Sequence, residues 1–185
     1  MDTQTVTTLF AILATVAQAA VVVAIVLAVG GRFSPPLARV RDAIRARLAP
    51  AAMGLAAVVA LVAMLGSLYL SEVADFPPCR LCWFQRIAMY PIVVVLGVGA
   101  IRRDANARLT GAIFAGVGAC ISVWHLLVER YPTLEGTSCE ITNPCSVKWV
   151  EKWGYLTIPG MALSGFALIL VLLAVARPKR PQEDA

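Results

Sequence analysis

Charge is scarce in this sequence. Asp, Glu, Lys and Arg make up only 15% of the 185 residues, and His125 is the sole histidine. Apolar residues reach 59% and the mean hydropathy is +0.79, more apolar surface than a soluble domain can hide. No basic stretch precedes the first apolar run, as a cleavable secretory signal requires. No segment interleaves aromatic with basic residues, so the formal charge of +5 does not indicate nucleic acid as a partner. There is no internal repeat and no low-complexity stretch. The length allows one compact bundle and no second soluble domain.

What the sequence does contain is a set of uncharged runs matching the roughly 20 residues that cross a bilayer. Spans are predicted at about 8–29, 51–70, 83–101, 109–128 and 156–176, giving an all-α integral membrane protein. Pro91 falls inside the third, where a membrane helix tolerates it. Between the first two, Ser34-Pro-Pro breaks the chain, and Leu37 to Leu48 reads as a basic amphipathic segment for an anionic membrane surface. In the fourth, Ala112, Gly116 and Cys120 share a face at the spacing that lets helices pack closely. Cys120 is thus expected to be a buried, inert residue at a helix contact.

The basic residues sort by connector. Arg32, Arg39, Arg41, Arg45 and Arg47 follow the first span, Arg102, Arg103 and Arg108 the third, and Arg177, Lys179 and Arg180 the fifth. By the positive-inside rule these connectors are cytoplasmic, and the N-terminus lies outside. The other connectors keep only Arg80, Arg130, Lys148 and Lys152, with Arg86 at a helix mouth. Both of these connectors carry a cysteine pair, Cys79 with Cys82 and Cys139 with Cys145, on the extracytoplasmic side where disulfides persist. Asn143-Pro144 supplies a turn inside the second pair. Beyond it, Trp149, Val150 and Trp153 fall on one helical face, predicting a short interfacial helix over 147–154 with its tryptophans at headgroup depth.

Cys79-Arg-Leu-Cys82 sits at the N-terminal mouth of the third span. The helix dipole and a nearby cation favour thiolate, the reactive form. Arg86, one turn beyond Cys82, is placed to be that cation, and an arginine in a span usually marks function; snorkelling to a headgroup phosphate is its plainer reading. Cys139 and Cys145 read either as a disulfide bracing a loop or as half of a relay, since exchange passes electrons from one pair to the next. A four-thiolate zinc site is the remaining option, and it fits poorly with an oxidising compartment. Trp83, Phe84 and Tyr90 offer flat, apolar surroundings for a ring such as a quinone. His125, near the outer end of the fourth span, is either a packed interfacial residue or a hydrogen-bond or proton donor near such a ring.

The run Cys79-Arg-Leu-Cys82-Trp-Phe-Gln-Arg86-Ile-Ala-Met-Tyr-Pro91 resembles the signature of the disulfide bond formation protein B family (DsbB), particularly its BdbC-type branch. Trp124-His125-Leu-Leu-Val-Glu129, the Cys139…Cys145 loop and Ile158-Pro159 are similar to that family as well. The resemblance implies a four-helix transmembrane bundle at 51–176, in a bacterial plasma membrane, with an additional N-terminal helix and basic segment at 1–50 and a basic cytoplasmic tail at 177–185. It implies a quinone-dependent protein-disulfide oxidoreductase that reoxidises a DsbA-like thioredoxin-fold oxidase. The electrons then pass to membrane ubiquinone or menaquinone. Cys79 and Cys82 become the quinone-side pair with Cys82 nearest the ring, Arg86, His125 and Trp83 its surroundings, and Cys139 the partner's point of attack.

Two other classes remain at this stage. A reductase resembling the vitamin K epoxide reductase group uses similar parts, but there the loop pair precedes the Cys-x-x-Cys. A non-enzymatic adaptor would keep both pairs as structural disulfides and bind no quinone.

Overall fold

The computed structural model of the chain describes residues 2–136, 139 and 142–176. The basic tail carrying Arg177, Lys179 and Arg180 lies outside the described residues. Six α-helices follow in order: α1 (Thr3–Gly30), α2 (Pro35–Leu48), α3 (Ala52–Glu72), α4 (Arg80–Arg102), α5 (Ala105–Arg130) and α6 (Ile158–Val175). All but α2 are long and apolar enough to cross a membrane. The shortest of these five, α6, has 18 residues, about 27 Å at 1.5 Å per residue.

Local chemistry explains the boundaries. Asp2 caps α1 by accepting from the Thr5 N–H at 2.7 Å, and Asp104 caps α5 by accepting from the Asn106 N–H at 2.8 Å. Pro35 opens α2 and Pro159 stands in the first turn of α6, where a missing N–H costs nothing. Arg103 ends α4 in the left-handed conformation, φ 58°. Helix α4 runs unbroken through Pro91.

Helices α3, α4, α5 and α6 close a four-helix ring, with α1 laid against α6. The ring's core is Ala56 and Ala60 from α3, Ile92 and Leu96 from α4, Ala115 from α5, and Phe166, Ile169 and Leu173 from α6. Between helices in lipid, close van der Waals packing rather than escape from water drives association. The tightest approach shows it: a Cβ on Gly118 would lie 2.2 Å from the Phe166 ring, so only glycine fits there. Gln85 Nε2 donates to Ser122 Oγ at 2.9 Å, a polar tie between α4 and α5 inside the ring.

The two ends of the ring differ. At one end the N-terminal turns of α1 meet the long connector, where Lys152 Nζ donates to Gln4 Oε1 at 2.8 Å and to Thr8 Oγ1 at 3.0 Å. At the other end α2 lies with none of its residues buried, and Arg45 donates to the Ala174 carbonyl at 3.2 Å.

Two sequence expectations need correction. Residues 147–154 do not form a helix. The chain makes a hairpin, β1 (Glu151–Lys152) antiparallel to β2 (Leu156–Thr157), with Lys152 opposite Leu156. Trp153 and Gly154 both take positive φ, 53° and 75°, which a helix cannot accommodate. Trp149 and Trp153 therefore share no helical face. Trp149 stacks on Phe76 with ring centroids 5.5 Å apart, and Val150 is buried. The second correction is Cys120, which is exposed rather than set in a helix contact. The packed face of α5 is Gly111, Ala115, Gly118, Ser122 and His125, and the line through Gly116 and Cys120 is turned away from it.

Candidate active site

Cys79 is the N-cap of α4. Pro77 and Pro78 hold the approach extended, and the Cys79 sulfur accepts the Cys82 N–H at 3.4 Å, a bond that Ser or Asp makes at an ordinary cap. The sulfur thereby lies at the positive end of the helix dipole. The Cys82 sulfur is 2.8 Å away, and His125 Nε2 is 3.7 Å away. Hydrogen bonding from the Cys82 thiol, and after it from His125, pulls the Cys79 thiol down to about 5 against the opposing effect of burial. Cys79 and Cys82 are both free thiols.

Cys139 and Cys145 are joined as a disulfide. Cys145 is 1% exposed and packs with Cys79, Leu81 and Val128, while Cys139 borders that cluster from its more open side. The loop is held by side chains rather than by a regular element. One Glu135 carboxylate oxygen accepts the Cys145 N–H and the other accepts the Ser146 hydroxyl at 2.7 Å. Asn143 Nδ2 donates to the Pro77 carbonyl at 3.3 Å, tying this loop to the Cys-x-x-Cys approach. His125 stands between the pairs: its Nε2 also lies 3.1 Å from the Cys145 carbonyl oxygen. Its Nδ1 is buried and has no hydrogen-bond partner among the described residues. From the next turn of α5, Glu129 accepts the Thr157 hydroxyl at 2.7 Å, fixing the hairpin to the same helix face.

On the other side of Cys82 an apolar cavity of about 390 Å³ opens between α1, α3, α4 and α6. Cys82, Gln85, Arg86 and Tyr90 carry its few polar groups, with Ser67 facing them from α3. Arg86 is buried and donates twice to Ser67, from Nε to Oγ and from Nη2 to the carbonyl, both at 2.9 Å. No carboxylate pairs with it among the described residues. An unpaired buried guanidinium favours an anion or an electron-rich atom beside it. The buried Tyr90 hydroxyl has no partner either.

The expected site residues therefore divide. Cys79, Cys82, Cys139, Cys145 and His125 come together at one end of the bundle. Arg86 stands with Cys82 at the cavity, whereas His125 stands with Cys79 and Cys145 and is not in the cavity wall. Trp83 is half-exposed on the outer surface of α4 and reaches the site only through Arg86, whose guanidinium lies 5.1 Å from its ring centre. Cys79, Cys82 and His125 offer donor atoms within 4.8 Å of one another, three ligands of the two types zinc favours, but the Cys139–Cys145 bond removes two thiolates from any four-thiolate site. Sequence reasoning missed Ser67 and Glu135. A serine in an apolar run and a glutamate four residues before Cys139 are the only signals, and neither names its partner.

A membrane protein whose free thiol pair at a helix mouth packs against a disulfide from another connector is, as a class, a membrane thiol–disulfide oxidoreductase. The model of the family described as disulfide bond formation protein DsbB matches residues 49–176, and the chain belongs to that family. It is 40% identical over 126 residues to disulfide bond formation protein C of Bacillus subtilis (strain 168), covering 68% of this chain and 91% of that protein. It is 38% identical over 128 residues to probable disulfide formation protein C 2 of Bacillus anthracis, covering 69% and 91%. To the probable disulfide formation protein of Oceanobacillus iheyensis it is 42% identical over 117 residues, covering 62% and 81%. No solved structure matches the chain. Disulfide formation is thus the chain's activity at the level of the family.

Proposed function

We propose that this chain reoxidises a soluble DsbA-like, thioredoxin-fold dithiol oxidase and delivers the electrons to a membrane quinone, ubiquinone or menaquinone. The chief support is that Cys79–Cys82 has a disulfide on one side and an apolar, arginine-bearing cavity on the other. Cys139, the more accessible of its pair, takes the attack of the partner's thiolate. The partner loses two electrons and two protons and leaves oxidised; Cys139 and Cys145 become thiols. These reduce the Cys79–Cys82 disulfide through a bond to Cys79, next to which Cys145 is packed. His125, between Cys79 and the Cys145 carbonyl, orients the two and exchanges a proton with the Cys79 sulfur. Cys82 faces the cavity beside Arg86 and is the last thiol before the acceptor.

The cavity fits a quinone: it is mostly apolar, it holds a buried cation lacking a carboxylate, and it has an orphaned buried hydroxyl on Tyr90. Arg86 and Tyr90 would hold the ring's oxygens. Cys79 and Cys82 would give up two electrons and two protons as their disulfide re-forms, and the quinone would supply the acceptor for them.

The same reading puts both cysteine loops outside a bacterial plasma membrane. The bonds from Lys152 to Gln4 and Thr8 support an N-terminus on that side, and the arginines of α2 and of the α4–α5 turn support a cytoplasmic opposite end.

Purified protein with a reduced thioredoxin-fold oxidase and a quinone is the test. Wild type should oxidise the partner catalytically, each of Cys79→Ser, Cys82→Ser, Cys139→Ser and Cys145→Ser should abolish turnover, and Cys120→Ser should leave it intact. Full turnover in any of the first four, or turnover without quinone, would overturn the relay.

A further inference from the structure

Helix α1 lies outside the family-matched segment 49–176, yet it does not stand apart from the bundle. It packs along α6, where Gln18 Nε2 donates to Ser164 Oγ at 3.0 Å, and Tyr155 Oη donates to Gln18 Oε1 at 3.1 Å. Ala11 and Ala14 are buried with Leu156. A glutamine in an apolar span is costly unless satisfied, so this pair of bonds fixes the helix's rotation and depth. At that rotation Phe10 reaches across to α3 and covers Gly66: a Cβ on Gly66 would lie 2.6 Å from the Phe10 ring.

The consequence is at the cavity. Its wall on one side is α1, through Phe10, Leu13, Ala14, Ala17 and Ala20, facing Val58 to Leu70 of α3 across the opening that leads to Cys82 and Arg86. From Phe10 to Ala20 this wall is about 15 Å long at 1.5 Å per residue. Its polar groups are gathered at the Cys82–Arg86 end, and the α1 side is wholly apolar, alanine and aliphatic carbon with the Phe10 ring. That division suits a molecule with a polar head and a long hydrocarbon tail. The small side chains of Ala14 and Ala17 leave the room a chain needs, while Phe10 closes the cleft between α1 and α3 near Gly66.

We propose that α1 is a built-in wall of the acceptor site, and that it holds the isoprenoid tail of the quinone along Ala14, Ala17 and Ala20 while the ring sits at Cys82 and Arg86. This rests on the quinone reading above. It assigns the additional helix a binding role, and it makes this protein select for tailed over tailless quinones.

The test uses the unaltered full chain in lipid vesicles with an isoprenoid quinone carrying a photoreactive group on its tail. After illumination, the labelled peptides are located by mass spectrometry. Labelling of the α1 peptide around 10–20, suppressed by excess unmodified quinone, is expected. Competable labelling confined to α3, α4 or α6 overturns the role of α1 and leaves the quinone reading standing. Absence of competable label together with absence of quinone reduction overturns both. A kinetic arm adds Ala14→Phe with Ala17→Phe, which fill the cleft. KM for the isoprenoid quinone should rise about tenfold with kcat retained, KM for a tailless quinone should not move, and Val22→Phe, on the exposed side of α1, should match wild type. An equal rise in KM for both quinones would also count against tail binding by α1.

Discussion

The two cysteine pairs meet in one cluster and are held by opposite means. Cys79 and Cys82 belong to a helix end: the backbone of α4 supplies an N–H to the Cys79 sulfur, and the dipole favours its charge. Cys139 and Cys145 belong to a connector, positioned by Glu135, Ser146 and Asn143. The first arrangement is rigid and sets acidity. The second sets position and leaves Cys139 the more open of its pair. A relay needs both, because the step with a soluble protein tolerates movement, while the step with a membrane acceptor needs a fixed distance and a fixed charge.

If that division holds, damage on the cavity side should leave the loop side working. Arg86→Met carries the largest expected effect. The variant loses the cation beside Cys82, and steady quinone-linked turnover should fall about 100-fold, the order seen when one charge-stabilising donor is removed. A single-turnover mixture with reduced partner and no quinone should still transfer the loop disulfide at the wild-type rate. A parallel loss in both assays would show that Arg86 supports the whole bundle through Ser67 instead.

A smaller effect tests the helix end by titration. With Cys79 lowered to about 5, its thiolate absorbance in the reduced protein should stay constant through neutral pH and fall only as pH drops through about 5. The sign for stability follows. A depressed acid contributes in full above its unfolded value, about 8.5 for a thiol, and that contribution is lost as pH falls through about 5. Cys82→Ala removes the largest cause and should move the midpoint upwards; His125→Ala should move it upwards by less. A larger shift from His125→Ala would invert the order of the two hydrogen bonds.

The sequence made the helix end more legible than the loop, for a physical reason. Span length and connector charge are one-dimensional properties, so five spans and the mouth at Cys79 follow from them. Cys-x-x-Cys followed by Arg86 spans about two helical turns, so its local geometry is nearly determined. The hairpin at 151–157 was not legible, because Trp149, Val150 and Trp153 satisfy a helical period while the left-handed Trp153-Gly154 turn decides otherwise. The packed face of α5 was ambiguous for a similar reason. Small residues recur on two neighbouring lines, Ala112-Gly116-Cys120 and Gly111-Ala115-Gly118, and the packing of Leu96 on Gly111 and of Phe166 on Gly118 distinguishes them. Partners such as Gln18 and Ser164, 146 residues apart, leave no trace in spacing, so the place of α1 beside the cavity had to come from the structure.

The smallest expected effect belongs to Glu135. One of its carboxylate oxygens and the two loop sulfurs lie within 4.8 Å of one another, and it accepts from Cys145 N–H and the Ser146 hydroxyl. A negative charge there disfavours thiolate at either loop cysteine, and so disfavours the reduced loop. Glu135→Gln removes the charge and keeps the size. The reduction potential of the loop pair should therefore rise, by no more than about 30 mV, which is about 1.4 kcal/mol for two electrons. Redox titration of the loop peptide measures it, with the Cys79–Cys82 potential in the same protein as the internal reference. A shift of both potentials together would mean that the cluster around His125 couples the pairs so tightly that helix end and loop titrate as one unit. A fall in the loop potential alone would mean that the Glu135 hydrogen bonds favour the reduced loop over the disulfide and outweigh the effect of its charge.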